Sequence, residues 1–270
     1  MNNLTQLFEI QKALNKANYP DYKRVSKEII EFVEDEKDLK KVLNNIKKDK
    51  PWEYICGCTE FYTITLKVNP NVLIPRIETE KLVGLAIQEY KDNDFDTVLD
   101  IGTGSGCIII SLVKSLMLPT IHKGKIDKTE FYATDKSVKA LRVARRNVKE
   151  HDLKEIIKVR KMDVIERINL DGKNVLLLAN LPYIPEEQYE KLDKSVKKYE
   201  PKGALEGGLS GNKYYKRLLS QIKQKGMRSF TLILETEESI IKDTKKIFKE
   251  FKPQIIKDIY DKDRFLIMRG

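Results

Sequence analysis

The strongest constraint on the fold is a regular alternation of short apolar runs with stretches of helical periodicity, which begins after the linker-like segment 92–96. Strands are predicted near 97–101, 130–134, 156–160, 174–179, 229–235, 254–258 and 264–269, and helices near 105–116, 137–151, 163–168, 212–226 and 237–249. This alternation predicts an α/β fold in which helices cover both faces of a mostly parallel sheet. Only the short turn 259–263 separates the last two strands, so we expect them to form an antiparallel pair at one edge.

The first part of the chain has a different pattern. Residues 1–58 carry apolar side chains at helical spacing, which predicts a small helical domain. From Phe61 to Val68 the pattern alternates, and a turn at 69–71 leads into 72–74, so a β-hairpin is expected. We therefore divide the chain into a helical domain (1–58), a hairpin with its linking helix (59–92) and an α/β domain (93–270).

Composition excludes several classes of protein. The apolar runs are too short to span a bilayer, and the first residues lack the basic-then-apolar order of a signal peptide. The cysteines Cys56, Cys58 and Cys107 cannot form a disulfide framework, and with only His122 and His151 beside them no zinc-spaced set exists. We expect a reducing, cytoplasmic setting, a site without metal, and a packing role for Cys56. The net charge of +10 suits an acidic partner, but lysines spread along the whole chain are typical of a solvated surface.

The first strand of the α/β domain ends in a glycine-rich turn, Asp100-Ile101-Gly102-Thr103-Gly104-Ser105-Gly106. Three glycines at alternate positions let a ligand approach backbone N–H groups at the start of a helix. A dinucleotide-binding loop needs glycine where Cys107 stands, and a Walker loop needs Gly-Lys-Ser/Thr. The turn instead suits a small anionic group such as the carboxylate of S-adenosylmethionine, whose ammonium group Asp100 could meet.

Acidic side chains follow the next two strands. Asp135 is placed to bind both hydroxyls of a ribose, the role that such a residue has in nucleoside-binding α/β folds. Asp163 could accept a hydrogen bond from an adenine amino group. The alternative is a glycine turn followed by acidic residues that bind no ligand. Acidic side chains at the ends of two successive strands favour a nucleoside-containing ligand instead.

The buried run 175–179 leads directly into Asn180-Leu181-Pro182-Tyr183. The Asn180 amide can grip a planar group that bears N–H, because it carries one acceptor oxygen and two donor hydrogens. Pro182 has no N–H and biases Leu181 towards an extended conformation, while Tyr183 offers a flat face for stacking. Taken alone, the tetrapeptide is also compatible with an ordinary turn.

Upstream, Arg76, Glu78 and Thr79 lie between the hairpin and the helix that follows it. Helix capping alone could account for Glu78 and Thr79. A cation at the position of Arg76 is well placed to bind a carboxylate.

The glycine loop together with Asp135 resembles class I S-adenosylmethionine-dependent methyltransferases. Asn180-Leu181-Pro182-Tyr183 resembles the Asn-Pro-Pro-Tyr motif of members that methylate planar nitrogens. More narrowly, residues 51–62, 73–80, 200–211 and 261–264 resemble the release-factor glutamine methyltransferases, which modify the glutamine of a Gly-Gly-Gln loop. The most specific of these segments are Leu73-Ile74-Pro75-Arg76-Ile77-Glu78-Thr79-Glu80 and Glu200-Pro201-Lys202-Gly203-Ala204-Leu205-Glu206-Gly207-Gly208.

The resemblance implies a seven-stranded Rossmann-like methyltransferase sheet, S-adenosylmethionine as cofactor and S-adenosylhomocysteine as product. It also implies class I peptide chain release factors as partners, docked by the N-terminal helices. Separately, we expect a monomer, and direct nucleic-acid binding is not expected but stays open as part of the alternative below. The cofactor would be held by Gly102, Thr103, Gly104, Ser105, Gly106, Asp135, Asp163, Val164 and Asn180. The substrate amide would be held by Asn180, Leu181, Pro182 and Tyr183, and the site closed by Arg76, Glu78 and Thr79.

Two residues depart from the family pattern, since Leu181 and Ile77 stand where proline is usual. The form Asn-Leu-Pro-Tyr is also seen in rRNA adenine dimethyltransferases, so an adenine-N6 methyltransferase acting on rRNA or DNA is the alternative. A non-catalytic protein-binding module on the same fold is a further one. For the glutamine reaction we hypothesise that the oxygen of Asn180 and the carbonyl beside Pro182 accept the two amide N–H bonds, while Tyr183 stacks on the amide.

Overall fold

The computed structural model describes residues 3–16, 19–118 and 125–270, and its centre is a seven-stranded sheet. The strands of this sheet are β3 (Thr97–Ile101), β4 (Glu130–Asp135), β5 (Ile157–Lys161), β6 (Asn174–Ala179), β7 (Ser229–Glu235), β8 (Gln254–Lys257) and β9 (Asp263–Arg269). Their order is β5-β4-β3-β6-β7-β9-β8, and β9 runs antiparallel to both of its neighbours while the other pairs are parallel. The predicted mostly parallel sheet with an antiparallel pair at one edge is confirmed.

Helices cover both faces of the sheet, as the alternation predicts. They are α5 (Glu80–Asp92), α6 (Cys107–Leu116), α7 (Val138–Glu150), α8 (Glu186–Tyr189), α9 (Lys194–Tyr199), α10 (Lys213–Ile222) and α11 (Ile241–Ile247). Alternate residues of β6 enter different cores, because Leu176 and Leu178 pack with α5 and α6 whereas Leu177 packs with α10 and α11. Every residue of β3 is buried, as expected for the centre of a doubly covered sheet.

The N-terminal part is helical, as predicted. It comprises α1 (Asn3–Lys16), α2 (Tyr22–Phe32), α3 (Glu36–Ile46) and α4 (Trp52–Cys56). These helices share a small core around Ile10, Ile29 and Trp52. The indole N–H of Trp52 donates to Glu28 Oε2 at 2.5 Å. This hydrogen bond fixes the orientation of the largest side chain in this core. The division at residues 58 and 92 stays a prediction, and α5 packs in the same core as α6.

The hairpin forms, but its turn lies elsewhere than predicted. Strands β1 (Cys58–Phe61) and β2 (Ile64–Lys67) pair antiparallel around a two-residue turn in which Tyr62 has a positive φ of 57°. The segment 69–74 is a turn and an extended connection, closed by the Val72 N–H bonded to the Asn69 carbonyl at 3.1 Å. A two-residue turn does not interrupt the alternation of apolar and polar residues. The sequence pattern therefore could not show that the turn lies there.

Two helix predictions were wrong in detail. Residues 163–168 form turns, and Val164 adopts a positive φ of 61°. Their apolar spacing resembles a helix because Ile165 and Ile168 both reach the core. The predicted helix 237–249 is α-helical only over Ile241–Ile247. Among the described residues, none of the helices has the length and apolarity that crossing a membrane requires.

Candidate active site

The carboxyl ends of β3, β4 and β6 open into a cleft of about 1060 Å³, including its mouth, which the hairpin connection and residues 201–204 border. Of the residues singled out in the sequence, the cleft is lined by Arg76, Thr79, Gly102, Thr103, Gly104, Ser105, Asp135, Asp163, Val164, Asn180, Leu181 and Pro182. Asp100, Glu78, Gly106 and Tyr183 are not part of its lining. The cleft therefore brings together the glycine loop, both acids after the neighbouring strands and the amide of Asn180.

The glycine loop needs glycine for two reasons. Gly102, Gly104 and Gly106 have positive φ values of 74°, 55° and 87°, a region that favours glycine. In addition, a Cβ on Gly102 would lie 2.9 Å from Cδ2 of Leu181, whereas one on Gly104 would meet only the Gly102 carbonyl, at 3.9 Å. The backbone at Gly104 is thus open for close approach by a ligand, and Leu181 covers the loop from the side of β6.

The two carboxylates beside the loop differ in their surroundings. Asp100 is fully buried behind the loop, accepts a hydrogen bond from Thr103 Oγ1 at 2.6 Å, and has no partner for Oδ1 among the described residues. Burial raises the pKa of Asp100 to about 7, although the Thr103 hydroxyl acts to lower it. Asp135 accepts from the Gly104 and Ser137 N–H groups at 3.1 and 2.8 Å, and burial raises its pKa too. Each Asp135 oxygen keeps a lone pair, so the carboxylate can still accept from a diol.

The far end of the cleft combines charge with an aromatic ring. Asp163 forms an ion pair with Arg217 of α10, and Gln221 donates to the Asp163 carbonyl at 3.3 Å. Lys136 donates to the hydroxyl of Tyr214, and its Nζ lies 4.4 Å from the centre of that ring. This end therefore combines the ion-paired carboxylate of Asp163 with the ring of Tyr214, which the ammonium groups of Lys136 and Lys213 approach.

Asn180 faces the cleft in a defined orientation. Its Nδ2 donates to Thr79 Oγ1 at 3.0 Å, which leaves Oδ1 as an acceptor. Pro182 also lines the cleft, whereas Tyr183 borders an adjacent depression together with Ile184, Gln188, Lys191, Leu192, Glu237 and Arg264. Burial raises the pKa of the Tyr183 phenol, so this hydroxyl stays protonated. The stacking role of Tyr183 stays a prediction.

Arg76 has a partner that sequence reasoning did not foresee. Its Nη2 lies 2.6 Å from Oε1 of Glu200, and the Glu200 side chain is only 2% exposed. Glu78 is half-buried and lies close enough to Glu235 for its negative charge to raise the pKa of that carboxyl. The segment 76–79 is therefore held at the cleft by the ion pair of Arg76 and by the hydrogen bond from Asn180 to Thr79.

Two buried polar residues outside the cleft lining contact residues that line it, and neither carried a signal in the sequence. Asn147 of α7 is fully buried, donates to the carbonyls of Ser105 and Lys67 at 2.8 and 2.9 Å, and accepts from the Lys67 N–H at 2.8 Å. It links the hairpin to the glycine loop. Glu235 ends β7 and is almost fully buried beside Thr79 and Tyr183. Neither residue belongs to a motif, so only the fold reveals them.

Within residues 3–16, 19–118 and 125–270, no group of three His, Cys, Asp or Glu side chains could hold a metal ion. His122 lies outside these ranges. Instead, the open space at Gly104, the carboxylate of Asp135 and the polar end at Asp163 leave room for an elongated ligand with polar groups along its length.

Comparison with known proteins shows which family the chain resembles in sequence. The family model described as "Methyltransferase small domain" matches residues 82–205. A release factor glutamine methyltransferase from Rhodopirellula baltica is 34% identical over 229 residues, which cover 81% of this chain and 73% of that protein. One from Dictyoglomus turgidum is 36% identical over 233 residues, covering 84% and 77%. Among solved structures, the hMettl16 catalytic domain in complex with MAT2A 3'UTR hairpin 6 has a TM-score of 0.53 at 16% identity, covering 76% of this chain and 74% of that one. This last similarity concerns the fold alone.

Proposed function

Because the chain belongs to the release factor glutamine methyltransferase family, we propose that it moves a methyl group from S-adenosylmethionine to a glutamine side-chain nitrogen. The acceptor is the glutamine in the Gly-Gly-Gln loop of class I peptide chain release factors. The observation that carries the proposal is the orientation of Asn180, whose Nδ2 is bound to Thr79 so that Oδ1 remains to accept an N–H bond. The protein is proposed to act as a cytoplasmic monomer.

The residues of the cleft fit S-adenosylmethionine. The space beside Gly104 lets the methionine moiety approach the loop, although the Gly104 N–H itself donates to Asp135. The carboxylate of Asp135 suits the ribose hydroxyls. Asp163 and Val164 line the end where the adenine would lie. When bound, the cofactor supplies a methyl group on a positively charged sulfonium. Asp100, whose Oδ1 has no partner within the described part of the chain, would add negative charge behind the loop.

The work left to the protein follows from the chemistry of an amide. The lone pair of an amide nitrogen is delocalised into its carbonyl, so this nitrogen is a poor nucleophile. The Oδ1 atom of Asn180 and the carbonyl beside Pro182 can accept the two N–H bonds and hold the nitrogen in line with the methyl group. The same acceptors stabilise the positive charge that develops on the nitrogen, and the apolar walls exclude water.

Support for a protein acceptor comes from the two family-specific segments. Arg76 belongs to the first and Glu200 to the second, and their ion pair joins both segments at the mouth of the cleft. An adenine-N6 methyltransferase would need the same contact from the asparagine amide, but it would leave these two segments unexplained. Methylation of an adenine in RNA or DNA is therefore kept only as a possible outcome of the test.

The test uses purified protein and labelled S-adenosylmethionine with three acceptors: a class I release factor, the same factor with its Gly-Gly-Gln glutamine replaced by alanine, and rRNA. We expect label only on the first. The Asn180→Ala variant is expected to lose roughly 100-fold or more in kcat, the scale seen when one stabilising group is removed from an active site. Its affinity for S-adenosylmethionine, measured by calorimetry, should change little. Label on rRNA alone would overturn the proposal, and an equal loss of turnover and cofactor affinity would overturn the role of Asn180.

A further inference from the structure

Glu235 is a buried carboxyl that the proposed reaction does not use. It follows Leu234, which pairs with Ala179 across the parallel strands β7 and β6, so Glu235 and Asn180 are adjacent at the carboxyl edge of the sheet. Its side chain is almost fully buried, and Oε2 has no hydrogen-bond partner among the described residues. A buried carboxyl is costly to keep, so its presence beside Asn180 calls for a role.

The surroundings of Glu235 connect it to the active-site amide. Burial raises the pKa of Glu235 to about 7, while the nearby hydroxyls of Thr79 and Tyr183 and the positive charge of Arg264 lower it. Thr79 is itself buried and accepts the Nδ2–H of Asn180 at 3.0 Å. The Thr79 hydroxyl thus lies between the carboxyl of Glu235 and the amide of Asn180.

An ionised Glu235 would set the direction in which the neighbouring Thr79 hydroxyl points. A carboxylate can only accept a hydrogen bond, so it draws the single hydroxyl proton of Thr79 towards itself. The oxygen of Thr79 must then accept, and only the Nδ2 end of the Asn180 amide can donate to it. We propose that Glu235 is a positioning residue that acts through Thr79 to hold the Asn180 amide with its oxygen towards the substrate.

This inference rests on the proposed function, since it concerns the group that would accept the glutamine N–H. A neutral group at position 235 can donate to Thr79, whose proton is then free to turn towards Asn180. That arrangement favours the flipped amide, in which Nδ2 faces the substrate. Two donors would then meet, and the nitrogen of the substrate would be held poorly.

The test compares Glu235→Gln, Thr79→Val, Thr79→Ser and the double variant Glu235→Gln/Thr79→Val with the wild type. We expect Glu235→Gln and Thr79→Val each to lower kcat by about 100-fold, the loss typical of misplaced reacting groups. Thr79→Ser keeps the hydroxyl and should restore near wild-type turnover. The double variant should be no slower than either single one, because both break the same chain. The control is Thr231→Val on β7, which also removes the hydroxyl of a buried threonine but one that is not in contact with Asn180. This variant should keep wild-type turnover.

Two further readouts separate positioning from a structural role. Glu235→Gln removes a carboxyl that is costly to ionise when buried, so the variant should be at least as stable as the wild type at pH 8 although its turnover falls. In the wild type kcat should fall as the pH drops through about 7, whereas the profile of Glu235→Gln should be flat there. The charged groups that face Glu235 are Arg264, which lowers its pKa, and Glu78, which raises it; Cys107 lies near it as a protonated thiol.

The outcomes are distinct from failure of the proposed function. If the wild type does not methylate the release factor, the function itself is wrong. If it does, retention of kcat by Thr79→Val, or losses that multiply in the double variant, would overturn the relay alone. The same holds if Glu235→Gln keeps the pH profile of the wild type. Affinity for S-adenosylmethionine should stay within about twofold throughout, since neither residue belongs to the glycine loop.

Discussion

Arg76 and Glu200 form an ion pair across the mouth of the cleft, with Nη2 and Oε1 2.6 Å apart although 124 residues separate them in the chain. The Glu200 side chain is 2% exposed and that of Arg76 is 36% exposed. The pair is therefore asymmetric: loss of the arginine leaves a buried carboxylate without its counterion, whereas loss of the carboxylate leaves a cation that can reach water.

This asymmetry gives a first prediction. Arg76→Met should lower the free energy of unfolding by about 2 kcal/mol, less than the 3–5 kcal/mol of a fully buried pair because Arg76 is partly solvated. Glu200→Gln should cost less, because the amide is neutral. Urea denaturation measures both. The control is Arg146→Met, which breaks an exposed pair with Glu150 and should change stability by less than about 0.5 kcal/mol. An equal decrease in the free energy of unfolding for Arg76→Met and Arg146→Met would show that the buried pair contributes no more to stability than the exposed one.

A second prediction concerns Asn147, which satisfies backbone groups of both Lys67 and Ser105. Asn147→Ala leaves those buried carbonyls without donors and should lower the free energy of unfolding by roughly 2–3 kcal/mol. Because Ser105 belongs to the glycine loop, affinity for S-adenosylmethionine should also fall, by about tenfold. Denaturation and calorimetry give the two values. Asn93→Ala, which removes an amide that bonds locally to Glu89 on the surface, should change neither. Unchanged cofactor affinity in Asn147→Ala would mean that the hairpin does not support the loop.

Much of the sheet and part of the cleft could be predicted because their signals are local. Buried runs end in Asp100, Asp135 and Asn180, and the carboxyl ends of parallel strands meet at one edge of a sheet. The positive φ values at Gly102 and Gly104 follow from the glycine spacing in the same way. Each of these inferences needs only the neighbouring residues and the topology.

The remainder depends on contacts between distant parts of the chain. Nothing near Arg76 in the sequence indicates that Glu200 will be its partner, and Asn147 interrupts an amphipathic helix without showing which carbonyls it will meet. The turn of the hairpin was misplaced because alternation reports which face is buried but not where two strands pair. Likewise, Val164, Ile165 and Ile168 reach the core from a segment of turns rather than from a helix.

A third prediction uses two glycines in opposite situations. Gly102 has a φ of 74°, and a Cβ there would lie 2.9 Å from Leu181, so Gly102→Ala should destabilise the protein by about 1–3 kcal/mol and weaken cofactor binding. Gly84 lies in the helix α5 with open space around its Cα. Gly84→Ala should stabilise the protein by about 0.5–1 kcal/mol through helix propensity and leave turnover unchanged. Thermal unfolding of both variants measures the difference, and a stabilising Gly102→Ala would contradict the packing of Leu181 over the loop.

The last prediction concerns pH. Burial raises the pKa of Asp100 to about 7 in the folded protein, above the value of about 3.9 for an aspartate in an unfolded chain. Between these values the folded state binds more protons than the unfolded state, so the contribution of Asp100 to stability falls as the pH rises from about 4 to 7. Above pH 7 the ionised carboxylate is buried at full cost. Asp100→Asn keeps an acceptor for Thr103 without the charge, and should therefore raise the free energy of unfolding at pH 8, by up to about 4 kcal/mol.

At pH 5 the same substitution should have a smaller effect, because Asp100 is then largely protonated in the folded protein. Urea denaturation at the two pH values measures the difference. Glu130 provides a control of opposite sign, since hydrogen bonds from Lys158 and Lys173 lower its pKa to about 2. Its contribution is present above about pH 4.5 and is lost as the pH falls towards 2, so Glu130→Gln should lower stability at pH 8. If Asp100→Asn were less stable than the wild type at pH 8, the ionised carboxylate would have to be satisfied within the fold, and its unpaired Oδ1 would need another explanation.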